Sequence, residues 1–308
     1  MENIVRLITE KYYDTTPQSI TPLGGGFYGR VFLVRINKEP FDIVFKLYLY
    51  SGLAEKEATQ LRTLSKYTII KIPEVYFYHD ADIDIPNDVL AMEYIDGISI
   101  GSMNISLDDK LRIQIAHAVV DNQRAYHNAI NTEGFGEIDS GNYEKDWIKY
   151  YYPKAEATFH MIEEMHKNGK LEDTVLSSAT RAFDNFDKIF YLPIEKASLI
   201  HADYNTWNTL FDKEITHPIA VIDPFNCCWS DLELDLYQLT HANGNYFGLL
   251  DLYKEKAGVS ENFHIKNAFY ELYTELMHHC DANVDVPPEK VNPYVRALNN
   301  CMDHYGFN

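Results

Sequence analysis

Three oxygen-bearing side chains fall within one short stretch, LIHADYNTWNTLFDKEITHPIAVID, at residues 199–223. Asp203 follows an apolar run that ends at Ile200, Asn208 comes five residues later, and Asp223 closes a further apolar run that begins at Pro218. A carboxylate on a loop can orient a hydroxyl and take its proton. An amide oxygen and a second carboxylate are hard donors suited to Mg²⁺, which draws one or two ligands from protein and the rest from phosphate and water. That set has the chemistry of phosphoryl transfer, which asks a protein for positioning and charge stabilisation more than for covalent help. Asp203 is thus the candidate base, and Asn208 and Asp223 are the candidate Mg²⁺ ligands.

The order H-x-D-x-x-x-x-N, followed by an aspartate at the end of a strand, has the spacing of a kinase catalytic loop and its metal-binding residue. In these residues the chain resembles the aminoglycoside phosphotransferase and choline kinase family, whose usual loop reads H-G-D-x-H-x-x-N before a strand ending in I-D. His201, Asp203, Asn208 and Ile222-Asp223 match, whereas Ala202 stands for the glycine and Asn205 for the second histidine. The resemblance implies a two-lobed, protein-kinase-like α+β fold with a small β-rich N-lobe and a larger, mostly helical C-lobe. It also implies ATP or GTP as co-substrate and a small-molecule hydroxyl as acceptor.

Other elements must position this chemistry. Gly24-Gly25-Gly26-Phe27-Tyr28-Gly29 lies between two apolar stretches. Glycines allow backbone N–H groups to approach phosphates closely, which makes Gly25, Gly26 and Gly29 candidate nucleotide contacts. The run FDIVFKLY at 41–48 reads as a strand with Lys46 inside it. A lysine among apolar neighbours needs a partner, and in kinases one at this place reaches the phosphates and pairs with a helix glutamate. Ala54, Ala58, Leu61 and Leu64 share one face of the following helix. Glu57 lies beside that face, and Glu55 is roughly 200° around the axis from it, so Glu57 is the expected partner of Lys46. The segment VLAMEYIDG at 89–97 resembles the family's strand between lobes, where backbone groups of Glu93, Tyr94 and Ile95 would meet the adenine edge.

Beyond Gly97 the patterns turn helical, which predicts an N-terminal nucleotide-binding lobe over 1–96 and a catalytic, acceptor-binding lobe over 97–308. A helix is predicted from a serine cap at Ser106 through His127, with His127 structural, and two more over 143–168 and 171–190. Trp147, Tyr150, Tyr151, Tyr152 and Phe159 crowd the first of these two. They read as a core face in preference to a cage for a cation. After Asp223, the family resemblance predicts a helix opening near Asp231, with Asp235 bonded to the catalytic loop at His201. The likeness extends over roughly residues 18–240.

Composition bounds the rest. The formal charge is −19 over 308 residues, opposite to the basic footprint of a nucleic-acid binder and compatible with a cationic acceptor. From Asp231 onward there are 12 Asp/Glu against 5 Lys/Arg, which favours an amine-bearing acceptor such as an aminoglycoside-like amino sugar. Choline, a ketosamine, homoserine or a sugar would suit the same core, and a catalytically weak nucleotide-binding module is the reading from another class. The four cysteines, Cys227, Cys228, Cys280 and Cys301, form no C-x-x-C pair and read as reduced thiols. The lack of a signal-like start or a long apolar run predicts a cytoplasmic protein with no membrane association.

Overall fold

A computed structural model describes residues 1–282 and 284–307. In chain order the elements are α1 (Glu2–Tyr13), β1 (Ser19–Gly25), β2 (Gly29–Arg35), β3 (Asp42–Tyr48), α2 (Leu53–Leu64), β4 (Val75–His79), β5 (Val89–Glu93) and β6 (Ile98–Ser99). Then come α3 (Asp109–His127), β7 (Ile130–Asn131), β8 (Gly136–Glu137), α4 (Trp147–Lys167), α5 (Asp173–Asp184), α6 (Phe186–Ile189), β9 (Ala197–Ile200), β10 (Thr209–Phe211), β11 (Pro218–Val221) and β12 (Cys228–Ser230). Two 3₁₀ turns (Leu232–Asp235 and Tyr237–Thr240) lead into α7 (Gly244–Phe247), α8 (Leu249–Ala257), α9 (Phe263–Asp281) and α10 (Pro288–Tyr305).

Two compact units emerge. The first is Met1–Ala118 with Thr206–Phe225, and the second is 119–205 with the chain from Asn226 onward. These units do not coincide with a single cut after residue 96. The reason is strand pairing: β10 pairs with both β11 and β6, and Lys71 bridges Ala220. Gly97 sits against this hairpin so closely that a Cβ there would lie 2.9 Å from Ile219 Cδ1 and 3.0 Å from Phe211 O.

The first unit is built on an antiparallel sheet in the order β1-β2-β3-β5-β4. Alternation in β2 and β3 sends Phe32, Val34, Ile43, Phe45 and Leu47 into a core with Val5 and Ile8 of α1. Tyr12 of α1 stacks on Phe77 of β4, with ring centroids 3.8 Å apart. On α2, Ala54, Ala58, Leu61 and Leu64 are buried as the periodicity predicts, and Glu57 is buried with them.

The second unit is mostly helical around a core of α4, α5, α9 and α10. Trp147 and Tyr151 stack within it at 5.0 Å, so these aromatics form a core face. Several boundaries differ from the sequence reading, each for a local reason. Asp108, in place of Ser106, caps α3 by accepting from Leu111 N at 3.0 Å. The predicted 171–190 helix stops at Asn185, whose side-chain amide donates to Arg181 O at 2.9 Å. After Asp231 the chain makes 3₁₀ turns in place of the predicted helix, because Asp231 Oδ1 accepts from Glu233 N and pins the first turn.

That turn is anchored by a buried ion triad. Lys266 Nζ lies 2.7 Å from Asp231 Oδ2 and 2.8 Å from Glu233 Oε2. Ser260 N and Oγ donate to Glu233, and Tyr270 OH donates to Asp231. Burial works against the Lys266 ammonium, yet the two carboxylates hold its pKa above the ordinary lysine value. Removing one member of a buried ion set strands the others without compensation. Lys266→Met should therefore lower the unfolding free energy by about 3–5 kcal/mol, read as a shifted midpoint in chemical denaturation. An unchanged midpoint would show that the triad contributes nothing.

Candidate functional site

In the first unit, β3 and α2 bring Lys46 and Glu57 together. Lys46 Nζ lies 2.6 Å from Glu57 Oε2, and it also pairs with Asp223 Oδ1. Glu57 is buried, whereas half of the Asp223 side chain is exposed. Burial disfavours the ammonium, but Asp223 and Glu57 together raise the Lys46 pKa beyond the usual lysine range. Burial likewise raises the Glu57 pKa, opposed by Lys46 and by the hydroxyl of Tyr48, which donates to Glu57 Oε2 at 2.6 Å. Tyr48 was not singled out by sequence reasoning. The available signal is its spacing, since residues two apart on a strand point to the same side.

Asn208 and Asp223 flank the β10–β11 hairpin. Thr209 pairs with Val221, and one step further Ile222 N donates to Asn208 O at 2.9 Å. This register holds both residues at the same end of the hairpin. Asp223 takes a left-handed backbone, φ 57°, a region that aspartate tolerates better than most residues. The donors are hard oxygens that fit Mg²⁺. No cluster of three or more His, Cys, Asp or Glu side chains suited to a metal occurs among the described residues. A metal held by Asn208 and Asp223 would therefore complete its shell from phosphate and water, as Mg²⁺ commonly does.

The glycine turn joins β1 to β2. A Cβ on Gly25 would fall 2.6 Å from Gly29 O, and one on Gly29 would fall 2.7 Å from Leu47 O. Gly26 is open on that side, but its N–H donates to Gly29 O at 3.1 Å. Arg30 bridges the carbonyls of Gly26 and Gly29 at 2.7 and 2.8 Å. At the tip, Tyr28 stacks on Phe225 with centroids 5.0 Å apart, which ties the turn to the segment just past Asp223. At the end of β5, Glu93 N donates to Glu74 O, and the Glu93 carboxylate pairs with Lys71. The Ile95 carbonyl accepts from Gly97 N at 2.8 Å, and Tyr94 OH reaches Asp96 Oδ1 at 3.3 Å.

The second unit carries His201, Asp203 and Asp235. Asp203 Oδ1 accepts from Asn205 Nδ2 at 2.8 Å, and Asn205 is itself held by Gln238 at 2.9 Å. Asn205, where the resemblance departs from the usual histidine, is therefore the residue that orients the candidate base. Asp235 accepts from Ala202 N at 2.7 Å and from His201 N at 3.3 Å. Its Oδ2 also lies 2.9 Å from Tyr126 OH, 3.1 Å from His127 Nε2 and 3.3 Å from Gln123 Nε2. Tyr126 and Gln123 carried no signal in the sequence. Ala202 has φ 67°, so a side chain occupies a left-handed position that glycine fills without steric cost.

Asp235 is fully buried, and burial alone would raise its pKa. Bonds from His127 and Tyr126, with the field of His127 and His201, instead hold it below the ordinary aspartate value. The stabilisation from such a group is complete above that ordinary value, about 3.9, and is lost as pH falls through the lowered one. Asp235→Asn should cost about 3–5 kcal/mol at pH 7. The gap from the unsubstituted protein in urea denaturation should narrow as pH falls below about 4. A gap independent of pH would contradict this account.

Residues 19–248 match the family model described as the phosphotransferase enzyme family. Among curated protein sequences there is no significant match. Solved structures share the fold. A putative fructosamine-3-kinase from Haemophilus somnus 129PT is 15% identical with a TM-score of 0.68, covering 98% of both chains. A thermostable mutant of aminoglycoside phosphotransferase APH(4)-Ia, in ternary complex with ADP and hygromycin B, is 15% identical with a TM-score of 0.70, covering 97% of this chain and 98% of its own. Aminoglycoside 2'-phosphotransferase-IIIa in its GDP complex is 17% identical with a TM-score of 0.70, covering 99% of both. The fold is thus α+β and protein-kinase-like, with a small antiparallel-sheet lobe and a helical lobe.

Proposed function

The chain belongs to the phosphotransferase enzyme family, and from that premise we propose that it moves the γ-phosphate of ATP or GTP to a hydroxyl of a small molecule. The observation that carries this reading is the Lys46–Glu57–Asp223 ion set, which joins strand, helix and hairpin. Similar folds are recorded with ADP, AMP-PNP and GDP, which supports a nucleoside triphosphate as donor.

In this mechanism Lys46, oriented by Glu57, binds the phosphates. Asn208 and Asp223 hold Mg²⁺, which supplies charge neutralisation on the transferring phosphoryl group. The glycine turn covers the phosphates, and the chain at Glu93, Tyr94 and Ile95 borders the base. Asp203, steered by Asn205, orients the acceptor hydroxyl and takes its proton. Asp235 and His201 keep the loop in shape for that step. No helix among the described residues is long and apolar enough to cross a membrane, and we assign the enzyme to the cytoplasm.

The acceptor in this reading carries amino groups, as an aminoglycoside-like amino sugar does. The acidic balance beyond Asp231 supports it, because a negative surface draws cations by long-range attraction. Similar folds bind hygromycin B and kanamycin. A ketosamine is the second reading, supported by the likeness to the putative fructosamine-3-kinase.

Coupled ADP or GDP release with Mg²⁺ across aminoglycosides, ketosamines, choline, homoserine and pentoses tests the reaction. Stimulation by one amine-bearing class is the expected result, and silence across the panel would argue for a binding module. Asp203→Ala should lower turnover by roughly 10²–10⁴-fold, the usual contribution of a general base, with nucleotide affinity kept. Retained turnover would remove Asp203 from that role. Asp223→Ala should abolish the Mg²⁺-dependent part of nucleotide stabilisation in a thermal-shift titration, and an unchanged metal-dependent shift would remove it from the metal site.

A further inference from the structure

We propose that Tyr48 is a positioning residue of the nucleotide site, whose hydroxyl fixes the Glu57 carboxylate so that Lys46 stays aimed at the phosphates. The inference rests on the phosphotransferase reading and adds to it a residue that the kinase-like pattern does not supply.

The geometry begins with the strand. Lys46 and Tyr48 are two apart on β3, so their side chains leave the sheet on the same side. Both reach one atom: Lys46 Nζ and Tyr48 OH each lie 2.6 Å from Glu57 Oε2. The ammonium also sits 5.4 Å from the centre of the Tyr48 ring, within the range of cation–π attraction. Tyr48 is 2% exposed and Glu57 7%, so water does not compete for the hydroxyl bond.

Lys46 divides its donors between two carboxylates, and in catalysis it must also serve phosphate. Its hold on Glu57 alone is therefore a shared one. The Tyr48 hydroxyl has a single proton to donate, and Glu57 receives it. Burial keeps that hydroxyl protonated, since it raises the Tyr48 pKa well above the usual value.

The tyrosine itself is fixed through its backbone. Tyr48 N donates to Asp88 O at 2.9 Å, and Asn87 Nδ2 donates to Tyr48 O at 2.7 Å. Across the sheet Tyr48 pairs with Gly29, the last residue of the glycine turn. Asp88 in turn accepts from Gly52 N at the start of α2. One residue thus links, by its hydroxyl, the strand that carries the lysine to the helix that carries the glutamate and, by its backbone, the turn predicted to cover the phosphates.

Binding of the nucleotide needs no knowledge of the acceptor, so calorimetry with MgATP and MgGTP is the test, alongside adenosine and guanosine. Tyr48→Phe keeps the ring and removes only the hydroxyl. A hydrogen bond to a charged group is lost, so affinity for the triphosphate should fall about tenfold, while nucleoside affinity stays within about twofold. In a Glu57→Leu background the same change should have little further effect, because the acceptor that the hydroxyl serves is gone. Equal loss for triphosphate and nucleoside, or full additivity with Glu57→Leu, would reduce Tyr48 to a packing residue and overturn the proposal. Unchanged triphosphate affinity in Tyr48→Phe would overturn it while leaving the phosphotransferase reading intact. Failure of the unsubstituted protein to bind either triphosphate would overturn both.

Discussion

A carboxylate sealed from water must be surrounded by donors, and the second unit is arranged to surround Asp235. Backbone N–H groups of His201 and Ala202 approach from one side, and Tyr126, His127 and Gln123 of α3 from the other. The loop after β9 cannot relax without stranding this charge. That constraint holds Ala202 in a left-handed conformation costing about 1–2 kcal/mol for an L-residue. The strained backbone leads directly into Asp203, whose Oδ1 is then held by Asn205, so a buried group that does not bond the candidate base shapes the loop carrying it.

The first unit solves a related problem with opposite charge. A lysine on a central strand would normally be excluded from the core, and Lys46 is retained because two carboxylates compensate it. They are not equivalent. Glu57 is enclosed by helix and sheet, whereas Asp223 is half exposed at the mouth of a hairpin. The enclosed partner suits a fixed orientation, and the exposed one suits a ligand that comes and goes.

What the sequence could convey follows from which interactions leave a local trace. Helical spacing on α2 separated Glu57 from Glu55, and the structure buries the former and sends the latter to Tyr78 on β4. The spacing of His201, Asp203, Asn208 and Asp223 was visible because all four lie within one hairpin-bearing segment. The residues that orient them were not visible. Tyr126, Gln123 and Gln238 meet the loop only through tertiary packing, and no spacing rule connects positions 123 and 235. The boundary at residue 96 was read from a shift from strand-like to helical patterns, which cannot show that β10 returns to pair with β6. Helix ends were misjudged where a different polar side chain won the cap, as Asp108 did over Ser106.

The return of that hairpin bears on how the protein is made. Residues 206–225 complete a unit whose other part ends at Ala118. At a synthesis rate of about 5–20 residues per second, the sheet of β1 to β5 is made roughly 6–26 s before β10 and β11, which pair in a separate sheet with β6, are complete. During that interval Lys46 has Glu57 but not Asp223, and Ile98–Ser99 lacks the β10 strand with which it pairs. The unit therefore cannot finish folding vectorially. Asp223, the second partner of Lys46, arrives near the end of this unit, after residues 119–205 of the helical unit have already been synthesised.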